Sequence, residues 1–216
     1  MNKEEHETWE DAARKRHKAL PHLKEACNSC RMCGLGWKKA KKNSKEADPH
    51  VFSNWDPLMR PPMFMIVGQN PGWEEVQKDT PFIGASGRNF DKALEQTIFQ
   101  RSDFYITNAV KCFTQGNKVP DQQYIDRCEP YLRMEIAIVK PKFVVTFGKV
   151  SFNMMCPDAD YNDSIAKLTK SSKFGVKVMA VYHPSPMNLS QKPRKQKFNE
   201  DIKLISRIMS HYLTPF

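Results

Sequence analysis

Short apolar runs alternate with longer amphipathic stretches along this chain. Residues 63–67 read Met-Phe-Met-Ile-Val, with Pro61 and Pro62 before them and Gly68 after them. A run that short, bounded by proline and glycine, predicts a buried strand ending in a tight turn. Residues 104–110, 143–147 and 176–182 repeat the pattern, whereas 89–97, 124–139 and 198–213 read as helices. In the second of these helices Tyr131, Leu132, Ile136 and Val139 share one face. Strands alternating with helices predict an α/β fold, a three-layer α/β/α arrangement around a central, mainly parallel four-stranded sheet. Such sheets bind ligands at the carboxyl ends of their strands, where Asn70, Asn108 and His183 all fall.

Residues 1–26 are rich in helix formers and predict one or two amphipathic helices leading into a cysteine-bearing segment. With 216 residues the chain fits one domain over 1–216 that includes this helical and cysteine-containing start. Lys plus Arg number 34 against 24 Asp plus Glu, a formal charge of +10 that favours an anionic partner, nucleic acid first. No run of 18 apolar residues occurs, so no membrane-spanning helix and no membrane partner is expected. Residues 1–18 are mixed in charge and lack the apolar segment of a secretory signal, which predicts a reducing cytoplasm. Six cysteines in that compartment are read as metal ligands or buried thiols rather than disulfides.

Cys27, Cys30 and Cys33 form two overlapping C-x-x-C units, a spacing that lets two thiolates from one turn bind one metal centre. Cys112 and Cys128, with 15 residues between them, are the candidate partners. The spacing fits zinc or an iron-sulfur cluster and does not separate them, and Cys156 has no assigned role.

Residues 38–48 are lysine-rich and predict an exposed loop. Gly84-Ala85-Ser86-Gly87 precedes a predicted helix, a place where backbone amides suit an anion. Phe82 stands among polar and glycine residues, where its ring either joins the core or stacks on a flat ligand. The carboxamide of Asn108 offers a donor and an acceptor to one edge of a base. After His183-Pro184-Ser185-Pro186 come two apolar residues, Met187 and Leu189, then Lys192, Arg194, Lys195 and Lys197. That order suits a wedge into stacked bases with phosphate anchors behind it, and equally an ordinary basic loop.

Five pieces then occur in register: Cys30-x-x-Cys33-Gly34-Leu35; Gly68-Gln69-Asn70-Pro71-Gly72; Pro81-Phe82-Ile83-Gly84 with Gly87; Asn108-Ala109-Val110-Lys111-Cys112 with Cys128; and His183-Pro184-Ser185-Pro186. Together they resemble the uracil-DNA glycosylase superfamily, most closely its iron-sulfur branch, usually called family 4. The resemblance implies a monofunctional glycosylase that flips uracil or a related pyrimidine out of DNA and hydrolyses its N-glycosidic bond, leaving an abasic site. It implies a [4Fe-4S] cluster on Cys30, Cys33, Cys112 and Cys128, with Cys27 a spare or a competitor for the first position. Phe82 would stack on the base, Asn108 would read its edge, and His183 would stabilise charge on the base oxygen. Asn70 would position the attacking water, and Gln69, Gly72 and Ser185 would line the substrate site. Met187 and Leu189 would intercalate, with Lys192, Arg194 and Lys195 on the backbone.

The opening motif departs from the branch, which usually carries Glu and a small residue where Gln69 and Asn70 stand. The Asn is more like that of the mismatch-specific and single-strand-selective branches. Gly72 replaces the bulky Tyr of the classical uracil-only enzymes, so tolerance of 5-substituted pyrimidines is expected. A glycosylase for a modified base in foreign DNA and a non-catalytic iron-sulfur DNA-binding protein are the alternatives. The expected partner is DNA, the expected state a monomer, and the expected location the cytoplasm, on the nucleoid.

Overall fold

The computed structural model describes residues 9–53, 55 and 62–213. Residues 1–8 and Pro61, on which the sequence reading drew, lie outside the described residues. Two helices open the chain as expected, α1 (Trp9–His17) and α2 (Leu20–Asn28), followed by the single turn α3 (Gly34–Trp37). The lysine-rich segment is then exposed as expected, but it is a hairpin and not a loop, with β1 (Ala40–Lys42) antiparallel to β2 (Lys45–Ala47). Asn43 and Ser44 sit at φ 48° and 62°, the left-handed pair that a tight two-residue hairpin turn requires. Strands of three residues, Ala40-Lys41-Lys42 and Lys45-Glu46-Ala47, are too short to carry an alternation from which a hairpin could be read.

The main body runs β3 (Phe64–Gly68), α4 (Trp73–Lys78), α5 (Ala85–Leu94), β4 (Phe104–Asn108), α6 (Gln122–Val139), β5 (Phe143–Phe147) and α7 (Lys149–Met155). It closes with β6 (Leu168–Lys170), β7 (Lys177–Val181), α8 (Pro186–Leu189) and α9 (Lys192–Leu213). The sheet has the order β4-β3-β5-β7-β6, and its first four strands are parallel, the four that the apolar runs predict. The fifth, β6, pairs antiparallel at the edge and is too short and polar to announce itself in the sequence. Helix α9 begins at Lys192, so the basic run after Leu189 belongs to a helix.

Strand β3 is buried along its whole length because both faces of the sheet are covered. Met65 and Val67 pack with Leu20, Leu132 and Phe152 on one side, while Phe64 and Ile66 pack with Phe90 and Phe198 on the other. The chain passes from β3 to β4 and then crosses back to β5 on the far side of β3. This reversal leaves a crevice beyond the carboxyl ends of the strands, the place where an open α/β sheet takes its ligand.

Candidate active site

A cleft of about 1620 Å³ opens at that edge, and Asn70, Phe82, Asn108, His183, Met187 and Arg194 all line it. Its floor is built from the ends of β3 and β4. Ala109 and Val110 donate their amides to the carbonyls of Gly68 and Gln69 at 2.9 Å each, so the turn after β3 is strapped to the chain leaving β4. The Asn70 carboxamide is held on both sides. Its Oδ1 accepts from Gln69 Nε2 at 2.9 Å, and its Nδ2 lies 3.1 Å from Thr114 Oγ1 and 3.3 Å from Asn117 Oδ1.

Glu75 fixes two loops at once. Its carboxylate accepts from the amide of Gly72 at 3.0 Å, of Ile83 at 3.1 Å and of Gly84 at 2.7 Å. A side chain at position 72 would meet Glu75 Oε2 at 2.7 Å, so this glycine serves the loop clamp as well as the cleft. Glu75 is the third helical residue after Gly72, where a carboxylate commonly returns to the helix start, and that spacing was the available signal for it.

Phe82 is buried and sits at φ 56°, a left-handed conformation that is unusual for an aromatic residue. Arg101 holds it there by donating to the carbonyls of Pro81 and Phe82. A Cβ on Gly87 would stand 1.7 Å from Phe82 O, which leaves glycine as the residue that fits. The Phe82 ring lies edge-on to Phe147 at 5.5 Å and 6.2 Å from the His183 ring. Asn108, the last residue of β4, is 1% exposed, and its Oδ1 has no hydrogen-bond partner among the described residues. His183 is enclosed by protein at the end of β7, and burial lowers its pKa to about 4, so the imidazole is neutral at physiological pH.

The segment after His183 is braced rather than loose. Asn188 Nδ2 donates to His183 O at 3.1 Å, Asn89 Nδ2 to Pro184 O at 2.9 Å, and Ser185 Oγ caps α8 through the Asn188 amide. Met187 projects with 81% exposure, whereas Leu189 is half-buried against the core beside α9 and does not share that projection. Lys192 and Lys195 are exposed and Arg194 half-buried in the first turn of α9, where Arg194 also lies over the Tyr182 ring at 5.6 Å.

The cysteines of the three segments meet behind this floor. Burial first, and then the thiols of Cys128, Cys27, Cys33 and Cys30, raise the Cys112 thiol far above its usual range. Burial pushes Cys128 up to about 11, against the help of the Lys111 amide, which donates to its Sγ at 3.5 Å. Cys27 is fully buried in α2 and interacts with Cys128 and Cys30. Thiols this buried and this close ionise only with a compensating positive centre, and four soft sulfur donors from separate segments fit an iron-sulfur cluster. Among the described residues no group of three His, Cys, Asp or Glu has the arrangement of ligands to a single metal ion. Cys156 stands apart, buried in the core.

One further group escaped the sequence reading, the buried pair Lys111 and Glu135, 2.5 Å apart at 1% and 0% side-chain exposure. Glu135 falls on the apolar stripe of α6 with Leu132 and Ile136, and a carboxylate in that stripe was the signal.

The family and the relatives that the chain matches mark it as a DNA N-glycosylase, a hydrolase of the bond between base and sugar. The chain belongs to the uracil-DNA glycosylase superfamily, whose family model matches residues 60–203. It is 29% identical over 192 residues to the type-4 uracil-DNA glycosylase of Pyrobaculum aerophilum, covering 86% of this chain and 92% of that protein. The type-4 enzyme of Sulfurisphaera tokodaii is 30% identical over 198 residues, 88% of this chain and 84% of that one, and that of Archaeoglobus fulgidus 28% over 151, 67% and 75%. These relatives, matched over two thirds or more of the chain, all carry the type-4 designation.

Proposed function

We propose that this protein excises uracil from DNA by flipping the nucleotide into the cleft and hydrolysing its glycosidic bond without a lyase step. The observation that carries the reading is the buried, unpartnered Oδ1 of Asn108. An acceptor left unpaired in the interior costs about 1–3 kcal/mol, and the N3–H of an extruded uracil would relieve that cost. Cytosine has no proton at N3 and presents an acceptor there, so the same oxygen rejects it. Phe82, locked at its position, supplies the face on which the flat ring stacks.

His183 serves the leaving group. Bond cleavage sends the electron pair to the base, and the negative charge spreads to its carbonyl oxygen, where a neutral imidazole N–H donates. One preorganised donor of this kind is worth about 100–1000-fold in rate. Asn70, held by Gln69, Thr114 and Asn117, positions the water that attacks C1′ as positive charge develops on the sugar. The balance closes with the hydroxyl of that water on the sugar and its proton on the departed base.

Extrusion costs a few kcal/mol, and Met187 is the wedge that offsets it by filling the gap in the stack. Lys192, Arg194 and Lys195 anchor phosphates on one side of the cleft, and the β1–β2 hairpin, whose Lys41 and Lys42 line the same cleft, anchors them on the other. Cys30, Cys33, Cys112 and Cys128 would hold a [4Fe-4S] cluster, which ties α2, the end of β4 and α6 into one unit and takes no part in the bond cleavage. Gly72 presents no ring to the cleft, which supports acceptance of 5-substituted pyrimidines such as 5-hydroxymethyluracil.

Base release from oligonucleotides carrying uracil, 5-hydroxymethyluracil, cytosine or thymine opposite guanine tests the reading. Uracil release with an intact abasic product, lowered by about 100–1000-fold but still measurable in a single turnover in Asn108→Ala and His183→Ala, is the expected result. No release from any of the four substrates overturns it.

A further inference from the structure

Lys111 and Glu135 sit between the cysteines and the base pocket, and their hydrogen bonds run toward Asn108. The three donors of the Lys111 ammonium are all used: Glu135 Oε2 at 2.5 Å, Thr107 Oγ1 at 2.7 Å and the main-chain carbonyl of Asn108 at 2.6 Å. The other carboxylate oxygen, Glu135 Oε1, accepts from Thr107 Oγ1 at 2.8 Å and from Tyr105 OH at 3.0 Å. Thr107 and Tyr105 belong to β4, Glu135 to α6, and the Lys111 amide reaches Cys128 Sγ at 3.5 Å. Val51 closes the set by donating its amide to Lys111 O at 2.8 Å.

Stability alone does not account for this arrangement. A buried ion pair gains little over well-packed apolar residues of the same volume, because desolvating two charges offsets their attraction. What the pair does provide is direction. Each bond of Lys111 fixes an atom of the last two residues of β4 or the carboxylate that fixes them, so the Asn108 peptide cannot rotate without breaking a charged hydrogen bond. The side chain of Asn108 makes no bond through Oδ1 among the described residues and depends on its backbone for orientation.

We propose that the Lys111–Glu135 pair is a positioning device for the base-reading amide of Asn108, transmitting the rigidity of the cysteine-bearing segments to the pocket. The inference rests on the reading of Asn108 given above. Neither residue touches the base.

The test is a mutant cycle in the full-length, cluster-loaded protein: Lys111→Met with Glu135→Gln, alone and combined with Asn108→Ala. Single-turnover uracil release and affinity for DNA carrying the uncleavable 2′-fluoro-2′-deoxyuridine are both measured. The paired replacement is expected to lower release at least about tenfold and to weaken affinity for the fluorinated site, while affinity for an abasic analogue and the visible absorbance of the cluster stay unchanged. In the Asn108→Ala background the same replacement should cost less than about twofold, since contacting groups are non-additive. An equal loss in both backgrounds overturns the inference, as does a loss matched by loss of the cluster absorbance. Should the paired variant not fold, Thr107→Val, which removes one node at constant shape, is carried through the same cycle under the same criteria. Failure of the underlying reading looks different: the unmodified protein releases no uracil, or Asn108→Ala alone leaves release intact.

Discussion

Gly68 and Asn108 are register partners at the ends of β3 and β4, and the side chain that Gly68 lacks would occupy the place of the Asn108 carboxamide. A Cβ on Gly68 would stand 2.6 Å from Asn108 Oδ1 and 2.2 Å from the Phe82 ring. The ring has no retreat, because Arg101 and the close approach of Gly87 fix the loop that carries it. Gly68→Ala therefore displaces both members of the base pocket with a single methyl group. We expect a loss of about 1–3 kcal/mol in stability by overpacking, with a more than hundredfold loss in uracil release. Denaturant unfolding and single-turnover kinetics check it, and near-normal release would show that the pocket does not use these two side chains.

The buried His17 and the half-buried His183 make the fold acid-sensitive while leaving the chemistry level. The pKa of His183 is lowered to about 4 by burial, and that of His17 to about 4 by burial and then by the neighbouring charge of Arg16. The unfolded chain binds protons at both near pH 6.5 and the folded chain near 4, so stability is lost as pH falls through that window. Each histidine contributes on the order of 1–3 kcal/mol across it, the lower end applying to His183, which is half-buried at the cleft where His17 is fully buried. The melting temperature should drop steadily between pH 6.5 and 4, and less steeply in His17→Gln. Because His183 is already neutral at pH 5.5, its titration should leave uracil release flat from there to pH 8. A bell-shaped rate centred near 6.5, abolished in His183→Gln, would count against a neutral donor.

The cysteine set separates under substitution. Replacing Cys30, Cys33, Cys112 or Cys128 by Ser should each abolish the visible absorbance and acid-labile sulfide of protein purified without oxygen, and lower the melting temperature by several degrees. Cys27→Ala should keep both. Cys27 is fully buried in α2 within the hydrophobic core that also holds Leu23, whereas Cys30 and Cys33 are only half-buried. Colourless protein with stoichiometric zinc would replace the cluster by a single-ion site.

What the sequence disclosed follows from where hydrophobicity is periodic. The four parallel strands are continuous apolar runs, and the helices between them carry stripes, so the fold class and the strand ends bearing Asn70, Asn108 and His183 were legible. The hairpin at 40–47 and the edge strand Leu168–Lys170 were not, being short and largely polar. Buried charge was hidden for a different reason. Glu75, Lys111 and Glu135 are spelled like surface residues, and only the company Glu135 keeps on α6 betrays its burial. Leu189 packs against the core while Met187 projects, because two residues along a helical turn bring a side chain round to the opposite side, which an apolar pair in the sequence does not announce.

Salt dependence separates the DNA cradle from the pocket. The first turn of α9 carries Lys192, Arg194 and Lys195 and no acidic residue, although the positive end of a helix dipole disfavours cations there. A phosphate lying across that turn would reconcile both charges with the dipole. Opposite it, Lys42 and Lys45 flank the Asn43–Ser44 turn, and the hairpin is docked by Gln115 Nε2 on Lys41 O at 3.0 Å. Each phosphate contact on duplex DNA contributes about 0.9 to the slope of log affinity against log salt. Lys42→Ala with Lys45→Ala, and separately Lys192→Ala with Lys195→Ala, should each flatten that slope by about 1–2 and leave the single-turnover rate at saturating DNA unchanged. Lys142→Ala, an exposed lysine just before the amino end of the central strand β5, at the end of the strands away from the cleft, should alter neither. A slope that ignores the hairpin lysines and responds only to those of α9 would confine the backbone contacts to one wall of the cleft, whereas a fall in the saturated rate would move the affected lysines from the cradle into the pocket's own chemistry.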